Sequence, residues 1–247
     1  MSTGEKVRGG IRMYEPSSVA YCMDCMEYMK TLPDNAFDLA VVDPPYGIGA
    51  SNCTRGGEKY GKSVAPSKIY GCKTWDDSSP DEGYFEQLFR VSKNQIIFGA
   101  NHFISKIPFD SSCWIVWDKE TGNNRYADCE LAWTSFDKAV RKYTFQWMGM
   151  LQGNMRDKEE RFHPTQKPSA LYRWIYKNFA KQGDKILDTH LGSGSSRIAA
   201  WDAGLDFVGT EIDETYFKLQ EERFKKHIQQ PRLEQMAIQQ AEQGSLL

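Results

Sequence analysis

No stretch of this 247-residue chain is long and apolar enough for a membrane span, and neither sign of charge dominates. Thirty-one lysines and arginines against 33 acids leave a net charge of −2, which excludes a global basic field for holding nucleic acid. Contact with DNA would have to come from local basic patches. Histidines are few, at four, and the six cysteines form no second tight pair to match Cys22-x-x-Cys25. Cys53 and Cys72 could in principle complete a zinc site, but without a tight second pair no metal is expected. The cysteines read as reduced thiols of a cytoplasmic protein, and the polar start Met1–Arg8 does not read as a signal peptide. What is present is ordinary for a globular chain: 40% hydrophobic residues, enough for a core, and 26% charged ones.

The chain is organised around Asp43-Pro44-Pro45-Tyr46. Before it, residues 37–42 form a short apolar run suited to a buried parallel strand. The two prolines end that strand because neither can donate to a ladder. An acid and an aromatic are left at a strand's carboxyl end, where open α/β sheets bind ligands. The bland alternative is a strand followed by a proline turn. Further on, Asp184–Asp188 reads as a strand running into Thr189-His190-Leu191-Gly192-Ser193-Gly194-Ser195-Ser196, with a helix after it. Gly192 and Gly194 allow close backbone approach to a ligand, and amides at a helix start can hold a carboxylate. The next strand, residues 206–211, ends in Glu211, spaced to accept hydrogen bonds from ribose hydroxyls.

These motifs, with His163-Pro164-Thr165-Gln166-Lys167-Pro168 between them, resemble those of the amino-methyltransferases of DNA. Their order is that of the β class, in which the catalytic motif precedes the cofactor loop. The resemblance covers roughly residues 17–228. It implies a Rossmann-like fold, circularly permuted, with a seven-stranded mixed sheet between helices, and S-adenosylmethionine (AdoMet) as cofactor. It implies that Asp43 and the Pro44 carbonyl accept from the target amine, with Pro45 shaping the turn and Tyr46 stacking on a flipped base. The cofactor residues implied are Asp24, Cys25, Asp43, Thr165, Lys167, Asp188, His190, Gly192, Ser193, Gly194, Ser195, Glu211 and Ile212. Asp24 reads equally as a helix N-cap, and the two roles are compatible. The family usually has Pro and Phe where this chain has Thr189 and His190, which puts the local packing in question.

Strands are expected to begin near residues 17, 37, 95, 113, 130, 185 and 206, in a single domain spanning 1–247. Residues 1–16 read as a loose lead-in. Ser79-Pro80 reads as the start of a helix with Tyr84, Phe85, Leu88 and Val91 on its inner face, and Pro168 as the start of another. A last helix from Asp213 would bury Tyr216, Phe217, Phe224 and Ile228. His102 ends a strand, where it either faces the site or is structural.

Two segments stand out. Residues 48–74 lack a period and carry Arg55, Lys59, Lys62, Lys68 and Lys73 against one acid, Glu58. They read as a basic flap on DNA phosphates, or as a flexible surface loop. Residues 119–162 contain a further strand at 143–147 and the basic residues Lys138, Arg141 and Lys142. This segment is the candidate target-recognition insertion.

The function implied is transfer of the AdoMet methyl group to adenine N6 in double-stranded DNA. Asp at the first motif position is commoner for adenine and Ser for cytosine N4, the runner-up. Methylation of RNA or a protein amide, or a non-catalytic DNA-binding module, are the remaining readings. The compact chain looks like a phage-type or orphan bacterial modification enzyme near the nucleoid, with a homodimer as one expected assembly.

Overall fold

The computed structural model describes residues 16–49, 75–122, 127–148, 151–156 and 158–229, together with the backbone of 5–8 and 11–14. The basic flap residues Arg55, Lys59, Lys62, Lys68 and Lys73, with Cys53 and Cys72, lie outside the described residues, as does the tail from 230. In chain order the elements are β1 (Glu5–Arg8), β2 (Ile11–Tyr14), β3 (Ser18–Cys22), α1 (Cys25–Lys30), β4 (Phe37–Val42), α2 (Glu82–Val91) and β5 (Ser92–Phe98). Then follow β6 (Trp114–Asp118), β7 (Cys129–Thr134), β8 (Arg141–Thr144), β9 (Trp147–Met148), β10 (Leu151–Gln152), α3 (Ser169–Phe179), β11 (Lys185–Asp188), α4 (Ser195–Asp202), β12 (Asp206–Glu211) and α5 (Glu214–Gln229).

The central sheet has eight strands in the order β3-β12-β11-β4-β5-β7-β6-β8. All seven expected strands are in it. The eighth, β8, is the further strand of the 119–162 segment. It begins two residues earlier than expected and pairs parallel to β6 as the edge strand. The lead-in is not loose throughout, since β1 and β2 pair as an antiparallel hairpin. No helix among the described residues is long and apolar enough to cross a membrane.

Alternation along β4 explains why the sheet is covered on both faces. Leu39 and Val41 pack with Ile96, Phe98, Ile115 and Trp117 under α3 and α4. Ala40 and Val42 face the other way, with Ile97 and the buried faces of α1 and α2. α2 covers the sheet with a 3.6-period stripe of Tyr84, Phe85, Leu88 and Val91, whereas α4 is buried through six consecutive residues, 195–200.

Two helix starts and one buried helix face differ from the sequence expectation. α2 begins at Glu82, capped by Asp81, whose Oδ1 accepts from Tyr84 N at 2.9 Å. Ser79 lies two residues before that cap, and its hydroxyl accepts from Lys106 at 2.8 Å instead. Pro168 stays extended (ψ 144°) as the N-cap residue of α3. The Glu159 carboxylate supplies the acceptor proline lacks, taking the Ser169 N–H at 2.9 Å. In α5 the buried stripe is Tyr216, Gln220 and Phe224, while Ile228 is exposed. Gln220 is turned inward because its Oε1 accepts from the buried Arg197 guanidinium.

Strand direction places the functional rim. β11, β12, β4 and β5 run parallel, so their carboxyl ends share one edge. β7 runs antiparallel to β5, so its first residues, Cys129 and Glu130, come to that same edge.

Candidate active site

The rim carries a pocket lined by Asp43 and Pro45 after β4, Gly192 and Ser193 after β11, and Glu211 and Ile212 after β12. Asp24 and Cys25 close one side, and Trp75, His163, Thr165, Lys167 and His190 another. Residues from distant parts of the chain therefore meet in one cleft because four parallel strands end there. Asp188, Gly194 and Ser195 do not line it. Asp188 lies beneath the loop, accepting from the Ser196 hydroxyl and from His190 N (3.0 Å). Burial pushes its carboxyl up to about 7.

The Asp-Pro-Pro-Tyr turn is pinned from below. Asp76, buried, accepts from Tyr46 N at 2.7 Å and Gly47 N at 2.9 Å through one oxygen. The Tyr46 hydroxyl donates to Asp43 Oδ1 at 2.8 Å, and its ring stacks on His102 with centroids 4.9 Å apart. One aromatic face is thus already covered. The ring lies against Gly99, where a built Cβ would stand 2.0 Å from it at a φ of +67°, so only glycine serves there.

Asp43 belongs to a buried chain of alternating charge. Lys167 Nζ is 2.5 Å from Asp43 Oδ2 and 3.1 Å from Glu130 Oε2, and Lys119 Nζ is 3.1 Å from Glu130 Oε1. Burial raises the Asp43 carboxyl, Lys167 opposes the rise, and Glu130 adds to it. Burial alone would lower Lys167, but Asp43 and Glu130 more than reverse this and hold it charged.

Gly192, Glu211, Asp24, Cys25, His163 and His190 line the other part of the pocket. Gly192, with a φ of +51°, opens the loop, and its N–H is held by Glu211 Oε2 at 2.8 Å. Glu211 Oε1 accepts from Asp213 N at 2.8 Å, leaving lone pairs on both oxygens for ribose hydroxyls. Asp24 caps α1 through Oδ1 (Met26 N, 2.8 Å; Glu27 N, 3.1 Å), as its N-cap reading expects, and the same residue lines the pocket. Burial lowers His190 to about 4 and His163 to about 3, so neither ring adds positive charge at neutral pH. Burial likewise pushes the Cys25 thiol up to about 12, leaving a neutral apolar wall rather than a thiolate.

Residues 104–222 match the model of the DNA methylase family of N6 and N4 type. Over that stretch, just under half of its length, the chain is similar to these DNA methylases. The match includes the 189–196 loop and Lys167, while Asp43 lies outside it and meets them at the pocket through the fold. The type II methyltransferase M.HinfI of Haemophilus influenzae is 24% identical over 243 residues, covering 82% of this chain and 67% of that protein. Two solved structures share the fold. The putative DNA modification methylase TTHA0409 of Thermus thermophilus, complexed with S-adenosyl-L-methionine, aligns at a TM-score of 0.53 and 16% identity, over 87% of this chain and 96% of its own. The cytosine-N4-specific PvuII DNA methyltransferase aligns at a TM-score of 0.52 and 11% identity, over 86% and 92%. The fold is therefore the α/β AdoMet-methyltransferase fold, with eight strands in its mixed sheet.

Four residues at or next to the pocket escaped the sequence reading. Glu130 starts a strand, and the search for acids at strand ends passes over it. Lys119 and Trp75 carry no motif, and Asp76 reads as a loop acid. Of the basic cluster, Lys138 donates to Asn178 O (3.2 Å) and lies over Phe179, while Lys142 pairs with Asp118 at 2.8 Å. Arg141 starts β8, four strands from β4, and so lies about 19 Å across the sheet at the opposite edge.

Proposed function

We propose that this chain is a site-specific DNA methyltransferase that moves the AdoMet methyl group to the exocyclic N6 of an adenine swung out of the duplex. One observation carries the reading: Asp43, at the head of the Asp-Pro-Pro-Tyr turn, faces the same pocket as Gly192 of the glycine loop and Glu211 at the end of β12. Bound there, AdoMet supplies an electrophilic methyl group. Gly192, Ser193, Glu211 and Asp24 would hold it.

The amine of adenine is a weak nucleophile because its lone pair is delocalised into the ring. Asp43 and the Pro44 carbonyl accept from its two protons, which pyramidalises the nitrogen and turns the lone pair outward. Proline at 44 offers a carbonyl without a competing N–H. Tyr46 stacks on the base, which must take the ring face that His102 leaves uncovered or displace His102. As positive charge develops on the nitrogen, the Asp43 carboxylate stabilises it, an interaction stronger in the transition state than before it.

Phosphate contacts are assigned to Arg55, Lys59, Lys62, Lys68 and Lys73. Support comes from the flanks of that segment. Gly49 N donates to Asp76 O at 3.1 Å and Trp75 lines the pocket, so the described residues on either side of the segment lie beside the pocket.

Transfer of tritiated methyl groups to DNA, RNA and protein tests the substrate class. Chromatography of the nucleosides then separates N6-methyladenine from N4-methylcytosine. The cytosine reading draws on the likeness to the PvuII enzyme, and labelled N4-methylcytosine would replace the adenine assignment with it. Label in RNA or protein alone would overturn both.

A further inference from the structure

Lys167 has no task in the reaction as described, yet the fold invests heavily in it. The side chain is 5% exposed and lies between two carboxylates. Its ammonium also stands 4.8 Å from the centroid of Phe98 and 5.6 Å from that of Tyr46. Burying a lone ammonium costs several kcal/mol, so this one persists only because Asp43, Glu130 and the rings offset that cost. The groups facing Asp43 are Lys167 before α3, Tyr46 on its own turn, Glu130 on β7, Asp188 on β11, Tyr84 on α2 and Tyr172 on α3. Lys167 is the one positive charge among them. Without it, burial and Glu130 would drive Asp43 toward the neutral acid, a poor acceptor for an amine proton.

We propose that Lys167 is a positioning residue that aims Asp43 into the pocket and supplies the charge that keeps it a carboxylate, while Glu130, anchored by Lys119, holds Lys167. This rests on the methyltransferase reading of Asp43. It also moves Lys167 from a cofactor contact to a residue acting on the target amine's acceptor.

The test compares Lys167→Met, Lys167→Arg and Glu130→Gln with the wild type. Two quantities are read: the acid limb of the pH profile of methyl transfer to DNA, and the Asp43 carboxyl titration by carbon-13 NMR. Lys167→Met should move the limb up by about one unit or more and lower the rate at pH 7 by about tenfold, with recovery at higher pH. Its AdoMet affinity should stay within about twofold of the wild type, because each tenfold change would represent a lost contact of about 1.4 kcal/mol. Lys167→Arg should restore the limb, since it keeps the charge. Glu130→Gln should shift it the opposite way, because it removes a negative charge facing Asp43.

An unmoved limb in Lys167→Met overturns the proposal, as does a loss confined to AdoMet affinity. If Lys167→Met fails to fold, Glu130→Gln decides, and the absence of a downward shift overturns it. A wild type that methylates no DNA defeats the proposed function alone. The NMR titration needs no turnover and still decides on Lys167.

Discussion

At the scale of single residues, two carboxylates in one pocket are assigned different partners. In the proposed reaction Asp43 would face the target amine and Glu211 the cofactor, so their removal should fail in different ways. Asp43→Ala should abolish methyl transfer while AdoMet still binds, because the lost charged hydrogen bond is made mainly in the transition state. Near-normal turnover in a single-turnover assay would sink the assignment. Glu211→Ala should instead weaken AdoMet binding by roughly 2–4 kcal/mol, the range for two hydrogen bonds to a carboxylate. The structure adds a second reason, since Glu211 also holds the Gly192 N–H at 2.8 Å and its loss frees the loop. Calorimetry with unchanged affinity would rule out both contributions. Asp43 and Glu211 were readable from motif and spacing. Glu130 and Lys119 were not, because their importance comes from the residue each one faces across the rim.

Among the elements, the end of β11 gives a pH prediction. Asp188 is buried, and its carboxyl is raised from the ordinary aspartate range to about 7. A raised folded-state value means that stability is full below the unfolded value and is lost as pH rises through the folded one. Between pH 5 and 8 the wild type should therefore lose about 2–3 kcal/mol relative to Asp188→Asn, whose amide does not titrate. Thermal melts of the two proteins across that range check it, and parallel pH curves would show that Asp188 is not buried as an acid. Most helices and strands were legible here, because their apolar stripes follow the 3.6 and 2 periods. α5 is an exception, as Gln220 interrupts the apolar pattern yet is buried against Arg197. β8 was visible as a strand, but its place at the sheet edge depends on pairing with β6, well before it in the chain.

For the whole molecule, a net charge of −2 means that DNA attraction has to be local. If Lys59, Lys62 and Lys68 neutralise phosphates, each lost contact should lower the slope of log affinity against log salt by about 0.9. Their triple replacement by alanine should weaken cognate and non-cognate DNA alike, since phosphate contacts carry no sequence information. AdoMet affinity should not change. Binding titrations at several salt concentrations check this. A selective loss on cognate DNA would make the segment part of the recognition surface instead.

The sequence by itself determined the strand-forming runs, the Asp-Pro-Pro-Tyr turn, the glycine loop and the order in which they occur. Each of these is local: proline ends a ladder, glycine opens a turn, and alternation marks a two-faced strand. Only the tertiary structure decided which of them meet. β4 and β11 are neighbours although more than 140 residues separate them in the chain, and that pairing brings Asp43 to the cofactor loop. The reversed direction of β7 brings Glu130 to the same rim, and Lys167 then finds two carboxylates rather than the solvent. Burial converts those positions into chemistry, because charges removed from water interact strongly with the few groups that face them.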